Sequence, residues 1–450
     1  MKRCINILFC QLFSIGFIYS QSIITTVAGT GAGGYSGDNG SALNASLHFP
    51  RGLNSDKKGS YYFAEIGNSI VRKLNIGDTI STMAGTGSTT YTYNGDGIPA
   101  TSANICPINA VPDSKGNIYI SDQCNSRIRK INSLGIISTI AGTGVAGYSG
   151  DNGPATSAQV KGPGLVMVDK VGNIVFTDFT ANVIRKIDTF GIITTIAGTG
   201  IAGFSGDNGL ATGAQLNGPY AIAQDTSGNF FIADQLNNRI RKIDKNGIIT
   251  TIAGTGIQGF SGDNGPALSA KLYNPAQITI DDAGNIFVAD YYNHAIRKID
   301  LAGIITTIAG TGGTQGYSGD NGPATNALLR APWGIAFNAT GDLFIADEAN
   351  NVIRKVTNVG VMSVKQVKEK KLLFNISPNP NSGSFTINLN ETTEKELKAE
   401  IYNTFGQSIL TKIVNDKKEI KIENLAEGIY LVKLTLDGAN AGTQRVIVSK

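Results

Sequence analysis

Two histidines, His48 and His294, are all that 450 residues contain. That scarcity argues against a His-rich metal centre and against a Ser-His-Asp hydrolase, since both need imidazoles brought together. Charge is thin too. Asp, Glu, Lys and Arg make up 16% of the chain, and the formal net charge is +4, two of those positives being Lys2 and Arg3. Nucleic acid is normally held by a clustered basic face, so it is not an expected partner. Of four cysteines, Cys4 and Cys10 lie in the first 20 residues. Cys106 and Cys124 are too few for a disulfide framework, although they occupy neighbouring strand-end positions of one unit and can pair in an oxidising compartment. There is one tryptophan, Trp333. After the first 20 residues no apolar run reaches the about 20 residues of a membrane helix, so no transmembrane segment is expected in the mature chain.

What is plentiful is glycine, 56 residues against 13 prolines. The glycines recur at regular spacing without the strict triplet of collagen, which also separates them from low-complexity disorder. They predict many tight turns between many short strands.

The first 20 residues combine basic Lys2 and Arg3, a mostly apolar stretch from Ile5 to Ile18, and the small residue Ser20. This is the pattern of a secretory signal peptide cut between Ser20 and Gln21. Near residue 362 the composition shifts to a charged linker over 362–373, containing Val364 to Lys371. Residues 374–450 then alternate apolar and polar positions between Asn, Gly and Pro turns, which predicts a small β-sandwich. Pro378-Asn379-Pro380 with Gly383, then Tyr402-Asn403-x-x-Gly406, then Gly428-Ile429-Tyr430-x-Val432, then the basic end from Arg445 to Lys450 follow in order. This tail closely resembles the C-terminal sorting domain of the type IX secretion system of Bacteroidetes. The resemblance implies a Gram-negative cargo protein that meets the secretion machinery and is then released or attached at the outer surface.

Between the ends, one unit occurs six times. Its arginine stands at Arg72, Arg129, Arg185, Arg241, Arg297 and Arg354, at intervals of 56 or 57. An acid ends an apolar run at Glu65, Asp122, Asp178, Asp234, Asp290 and Asp347, and a proline stands 15 positions before each, from Pro50 to Pro332. Four strand-like runs fill each unit, in the fourth copy near 221–224, 230–233, 239–243 and 248–253. Four antiparallel strands repeated six times predict an all-β fold, a six-bladed β-propeller over residues 21–361. The fourth-strand motif appears once too often, at Ile23–Ala28, while the last copy has lost its own. Ile23–Ala28 should therefore supply the outer strand of the last blade and close the ring. The stretches Pro219–Ile243 and Pro332–Val356 carry a pattern similar to the NHL-repeat propellers, over about residues 23–360. That resemblance implies the six-bladed fold strongly and a function weakly, because the family includes protein, glycan and RNA binders and a few enzymes.

Each copy also has a loop of the form Gly-Tyr/Phe-Ser-Gly-Asp-Asn-Gly, with Asp38, Asp151, Asp207, Asp263 and Asp320, degenerate in the second copy at Asn94-Gly95-Asp96-Gly97. Calcium is the cofactor such loops suggest, but it wants six to eight oxygens. One Asp per loop reads better as an Asx turn beside a glycine bend. Residues common to all six copies should serve the blade, so a unique site must break the symmetry. Just after each proline the copies do differ: Arg51-Gly52, Ile108-Asn109, Gly164-Leu165, Tyr220-Ala221, Ala276-Gln277 and Trp333-Gly334. Arg51, Asn109, Tyr220, Gln277 and Trp333 are thus the candidate ligand-binding set, expected near the mouth of the central channel, although Trp333 and Tyr220 read somewhat better as core aromatics that plug the funnel. Strand direction puts the Gly/Tyr loops and the second-to-third-strand turns on one face, where Tyr35, Tyr148, Phe204, Phe260, Tyr291, Tyr292 and Tyr317 form the candidate recognition surface. Two functions follow. One is a non-catalytic, exported binding propeller for a protein or glycan; the other is a secreted enzyme resembling propeller lactonases and lyases, with an axial metal or base. The axial set lacks convergent carboxylates and imidazoles, so binding is preferred and neither a catalytic residue nor a metal ligand is assigned.

Overall fold

The computed structural model describes residues 22–75, 77–88, 91–357, 359, 374–389, 397–403, 407–414, 419–436 and 439–449. The signal-peptide stretch with Ser20 and Gln21, the linker 362–373, Gly406 and Lys450 lie outside them. The chain divides into two compact units, Met1–Met362 and Ser363–Lys450.

The described residues of the first unit form six antiparallel sheets in up-and-down order. In the fourth, Pro219–Gln224 pairs with Phe230–Asp234, which pairs with Arg239–Ile243, which pairs with Ile249–Ala253. Tight turns join them for a local reason. Asp225 Oδ1 accepts from the backbone N–H groups of Ser227 and Asn229, at 2.8 and 2.9 Å, and Gly228 follows at φ +88°. Only a residue without a Cβ takes that angle freely. In the sixth sheet the inner three strands are Pro332–Phe337, Leu343–Asp347 and Val352–Val356, and the fourth is Ile23–Ala28. The ring therefore closes as its sequence predicted. Tyr61, Phe63 and Ile80 of the first blade share one buried cluster with Phe344 and Ile353 of the last.

Outer strands are edges, and exposed edges invite pairing with other chains. The incoming Gly-rich loop covers them: Ile98–Pro99, Gly265–Pro266 and Gly322–Pro323 add a short fifth strand to three blades. Elsewhere the same loop makes single bridges, as at Pro154–Ile192 and Leu210–Ile248.

In the second unit, Phe374–Ser377, Phe385–Leu389 and Glu419–Ile422 form one sheet. The other runs in the order Ser408–Val414, Leu397–Asn403, Gly428–Leu436 and Ala439–Val448. Phe385, Ile387, Ile401, Val432 and Val446 fill the space between them, which makes the expected sandwich.

Candidate functional site

The repeated charges come first, because they fix everything around them. All six repeat arginines are fully buried. Each is held by the acid at the end of its neighbouring strand and by the loop Asp. Arg241 Nη1 lies 3.4 Å from Asp234, and its Nη2 lies 2.8 Å from Asp207. The other five blades repeat the pairing. The strand-end acid also accepts a backbone N–H from just before its inner strand, as Asp234 does from Asn217 at 2.8 Å. Five blades add an Asn three residues on, such as Asn237; the third has Ala181 there, and Asp178 Oδ2 is left without a hydrogen bond. Burial pushes the Glu65, Asp178 and Asp347 carboxyls up to about 7, and Asp234 and Asp290 up to about 6, against the pull of their arginines. The loop Asp is therefore more than an Asx turn. It is the third member of a buried ion network, and a calcium ion there would have to compete with a guanidinium for it.

The loop aromatics belong to the same device. Tyr35, Tyr148, Phe204, Phe260 and Tyr317 lie over Arg72, Arg185, Arg241, Arg297 and Arg354, with 4.6–5.5 Å from guanidinium carbon to ring centroid. Tyr35, Tyr148 and Tyr317 also bond Thr82, Thr195 and Thr26 of the outer strands. So each ring sits in its own blade, towards the outer edge, and they do not converge on the axis. Tyr35, Tyr148, Phe204, Tyr292 and Tyr317 stay 41–50% exposed, while Phe260 and Tyr291 are partly buried. The second blade has an equivalent the sequence reading missed, Tyr93, 4.9 Å over Arg129. Its signal is spacing: in all six loops an aromatic stands three residues before the Asp.

On the axis, the structure shows the plugged funnel and not an open mouth. Tyr220 and Trp333 are 4% and 5% exposed, and Asn109 and Gln277 are also buried. Six blades leave so narrow a channel that rings from different blades meet across it. Trp333 packs edge-on against Tyr220 at 4.8 Å and Tyr291 at 4.6 Å, and the Arg51 guanidinium lies 4.0 Å from its centroid. Arg51 Nη2 bonds Glu348 Oε1 at 2.7 Å. Burial pushes the Glu348 carboxyl up, opposed by Arg51, and pushes the Tyr220 phenol up to about 12. Together these side chains plug the loop end. Glu348 and Tyr291 occupy the position after the strand-end acid, where the copies read Ile66, Gln123, Phe179, Gln235, Tyr291 and Glu348. This second symmetry-breaking position is legible in the repeats themselves, and of its six residues only Tyr291 belongs to the candidate surface named from the sequence.

Deeper in, Asn109 Nδ2 donates to Val166 O, and Gln277 Nε2 donates to Leu53 O at 2.7 Å and Ile335 O at 3.1 Å. Beyond this amide layer a cavity of about 260 Å³ opens among the far ends of the inner strands. Its walls include Met167, Ile222, Ile280 and Phe337, with Lys57 the one titratable side chain among its lining residues. The five axial candidates thus split: Arg51, Tyr220 and Trp333 plug one end, while Asn109 and Gln277 line the cavity at the other.

The histidines do not meet in one site. His48 stacks on Phe49. His294 Nδ1 accepts the Ala331 N–H at 3.1 Å, a joint between blades made elsewhere by Asn182, Asn238 and Asn351. Cys106 and Cys124 form a disulfide, with Cα atoms 5.5 Å apart, which ties the start of the second blade's inner strand to a turn of the same blade.

Comparison with known proteins fits both units. Residues 375–449 match the family described as the secretion system C-terminal sorting domain. Residues 202–259 and 256–317 match the teneurin NHL domain. The body is an NHL-repeat propeller and the tail a type IX sorting domain. That tail marks a secreted or outer-surface protein of a Gram-negative bacterium, and no helix among the described residues is long and apolar enough to cross a membrane. Human teneurin-1 is 27% identical over 383 residues, covering 76% of this chain but 13% of its own length. Bovine NHL repeat-containing protein 2 is 25% identical over 287 residues, covering 55% of this chain and 38% of its own. The chain therefore spans only a fraction of these curated relatives. Among solved structures, an auxiliary nutrient binding protein from Bacteroides ovatus superposes on the NHL propeller with TM-score 0.55 at 15% identity, covering 75% of this chain and 76% of that one. A structural genomics protein from Bacteroides thetaiotaomicron superposes with TM-score 0.56 at 17% identity, covering the same shares of the two chains. At such identities the likeness is one of fold.

Proposed function

We propose that this protein is made by a member of the Bacteroidetes, exported with removal of residues 1–20, and used outside the cell as a non-catalytic binding module. Residues 21–361 act as the propeller, 362–373 as a linker and 374–450 as the sorting domain, and the ligand is an extracellular protein or glycan. The observation that carries this reading is the loop face. Its half-exposed rings are seated on buried guanidiniums that are themselves held by two carboxylates. Aromatic side chains fixed in this way bind with little loss of rotamer freedom, and their open faces suit sugar rings or apolar protein side chains.

The cavity chemistry agrees with binding, since one lysine at a wall of aliphatic groups and amides is a poor acid–base apparatus. One observation favours the second reading, an axial enzyme: Glu348 is buried, raised in pKa, and flanked by Arg51 and Tyr291. A glycan array and an outer-surface protein screen, run with the wild type and with Tyr148→Ala/Phe204→Ala, separate the two. Binding that falls at least tenfold in the variant while circular dichroism stays native supports the loop face. Turnover of lactones or aryl esters by the wild type, lost in Glu348→Gln, would replace the binder by the enzyme.

A further inference from the structure

The sorting tail carries motif residues that stand outside its apolar core. Strand alternation sends Tyr430, Val432 and Ile401 into the sandwich core, and the Tyr430 hydroxyl donates to Ala426 O at 3.0 Å. The same alternation sends Tyr402, Ile429 and Leu431 outward. Cross-strand register then brings them together: Tyr402 opposes Leu431, Leu431 opposes Arg445, and Ile429 opposes Ile447. Ile429 and Leu431 are 47% and 46% exposed. Tyr402, Asn403, Ile429, Leu431, Lys433 and Arg445 surround a depression of about 510 Å³ on this face. The remaining motif also reaches it. Asn379, between the two prolines, donates from Nδ2 to Arg445 O at 2.9 Å and accepts from Ile447 N at 2.9 Å, so Pro378-Asn379-Pro380 braces the strand that presents Arg445. Four stretches far apart in sequence thus meet at one apolar face with a basic edge.

Exposed apolar side chains at the centre of a sheet face cost solubility unless something covers them. We infer that this face, centred on Tyr402, Ile429 and Leu431 and edged by Lys433 and Arg445, is where the secretion machinery grips the chain, through a partner surface offering apolar side chains and a carboxylate. The carboxylate follows from charge complementarity at Arg445, which is exposed and stands opposite apolar Leu431, whereas Lys433 on the same face already has Glu400 beside it; burying Arg445 unpaired would be costly. This rests on export through the sorting tail.

The test uses the full chain expressed in a host with a working type IX system, followed by surface protease accessibility and by the periplasmic pool. Ile429→Asp/Leu431→Asp should cut the surface and medium fraction at least tenfold and leave the protein in the periplasm. Arg445→Glu, a change at an exposed side chain, should do so several-fold. Thr386→Asp, on the outer side of the other sheet, should leave export unchanged. Native circular dichroism of the purified variants separates lost recognition from lost folding, and Arg445→Glu decides if the double variant unfolds. Export of both folded variants at the wild-type level would overturn the assignment. So would a full-length dimer that Leu431→Asp dissociates, because the face would then belong to a second copy. A wild-type chain that itself stays in the periplasm would instead sink export through the tail.

Discussion

The two units solve opposite problems with their conspicuous side chains. In the propeller, charge is buried and aromatic rings are spent on covering it: six guanidiniums lie between strand-end and loop carboxylates, and the most regular sequence features turn out to be scaffold. In the sorting tail the described core buries no charged side chain, and several of its most characteristic residues stand outside it. Repetition explains the difference. A residue that recurs in every blade answers a need every blade has, whereas a motif in a single small sandwich that points to solvent answers a need outside the fold.

The sharpest way to break the comparison is to open the ring. Deleting residues 22–31 removes the outer strand of the last blade and uncovers Phe344 and Ile353. The propeller should fail to reach its native state, whereas the tail has no such seam. Trp333 is the sole tryptophan, so its fluorescence reports the propeller alone. A deletion variant with wild-type fluorescence and melting would show that the ring holds without its closing strand.

Next in size is the ion network. Arg241→Ala leaves Asp234 buried without its guanidinium, held only by the Asn217 N–H and the Asn237 amide, and breaking one partner of a buried pair costs about 3–5 kcal/mol. Denaturant unfolding read at Trp333 measures it. A loss below about 1 kcal/mol, the scale of surface pairs, would mean that these arginines decorate the blade without holding it.

The same network predicts a pH dependence that the tail lacks. A carboxyl whose folded pKa lies above its unfolded value of about 4 holds its proton more tightly in the native state. Its contribution is complete below the unfolded value and lost as pH rises through the folded one. With five buried acids at about 6 to 7, the propeller should melt several degrees higher at pH 5 than at pH 8. Asp96 and Asp320, whose carboxyls are lowered by hydrogen bonds and by their arginines despite partial burial, lose their contribution only on acidification below that window. The tail transition, followed by circular dichroism, should stay flat. A propeller that melts alike at both values would place the protons elsewhere.

Much of this was legible in the sequence, for reasons that differ by level. The period and the closing strand Ile23–Ala28 could be read because β-branched runs keep their spacing even where the copy boundaries shift. The network could also have been read: each loop Asp precedes its arginine by 34 positions, or 33 in the second copy, and each strand-end acid precedes it by 7. Taking the three signals one at a time hid the fact that they touch. That Trp333 and Tyr220 plug the axis was already one of the two readings the sequence offered, but their partners Arg51, Tyr291 and Glu348 were beyond reach, because a repeat places a residue along its strand and says nothing about which side chains meet across the axis.

The smallest effect tests that principle at one residue. His294 stands at a left-handed position, φ +55°, where the matching joints use Asn, and it contributes one acceptor, Nδ1, to the Ala331 N–H. Burial and the nearby Arg330 lower its pKa, so the folded state prefers the neutral ring. Its contribution is present above about pH 6.5, the unfolded value, and is lost as pH falls through the lower folded one, opposite in sign to the buried acids and carried by a single group. His294→Asn keeps the acceptor, suits the left-handed backbone and cannot take up a proton there. It should shift stability by no more than about 0.5 kcal/mol at pH 8, while raising the melting temperature slightly at pH 5 relative to the wild type. A large loss at pH 8 would show that His294 does something no other blade joint does, and the imidazole would then return as a candidate functional group.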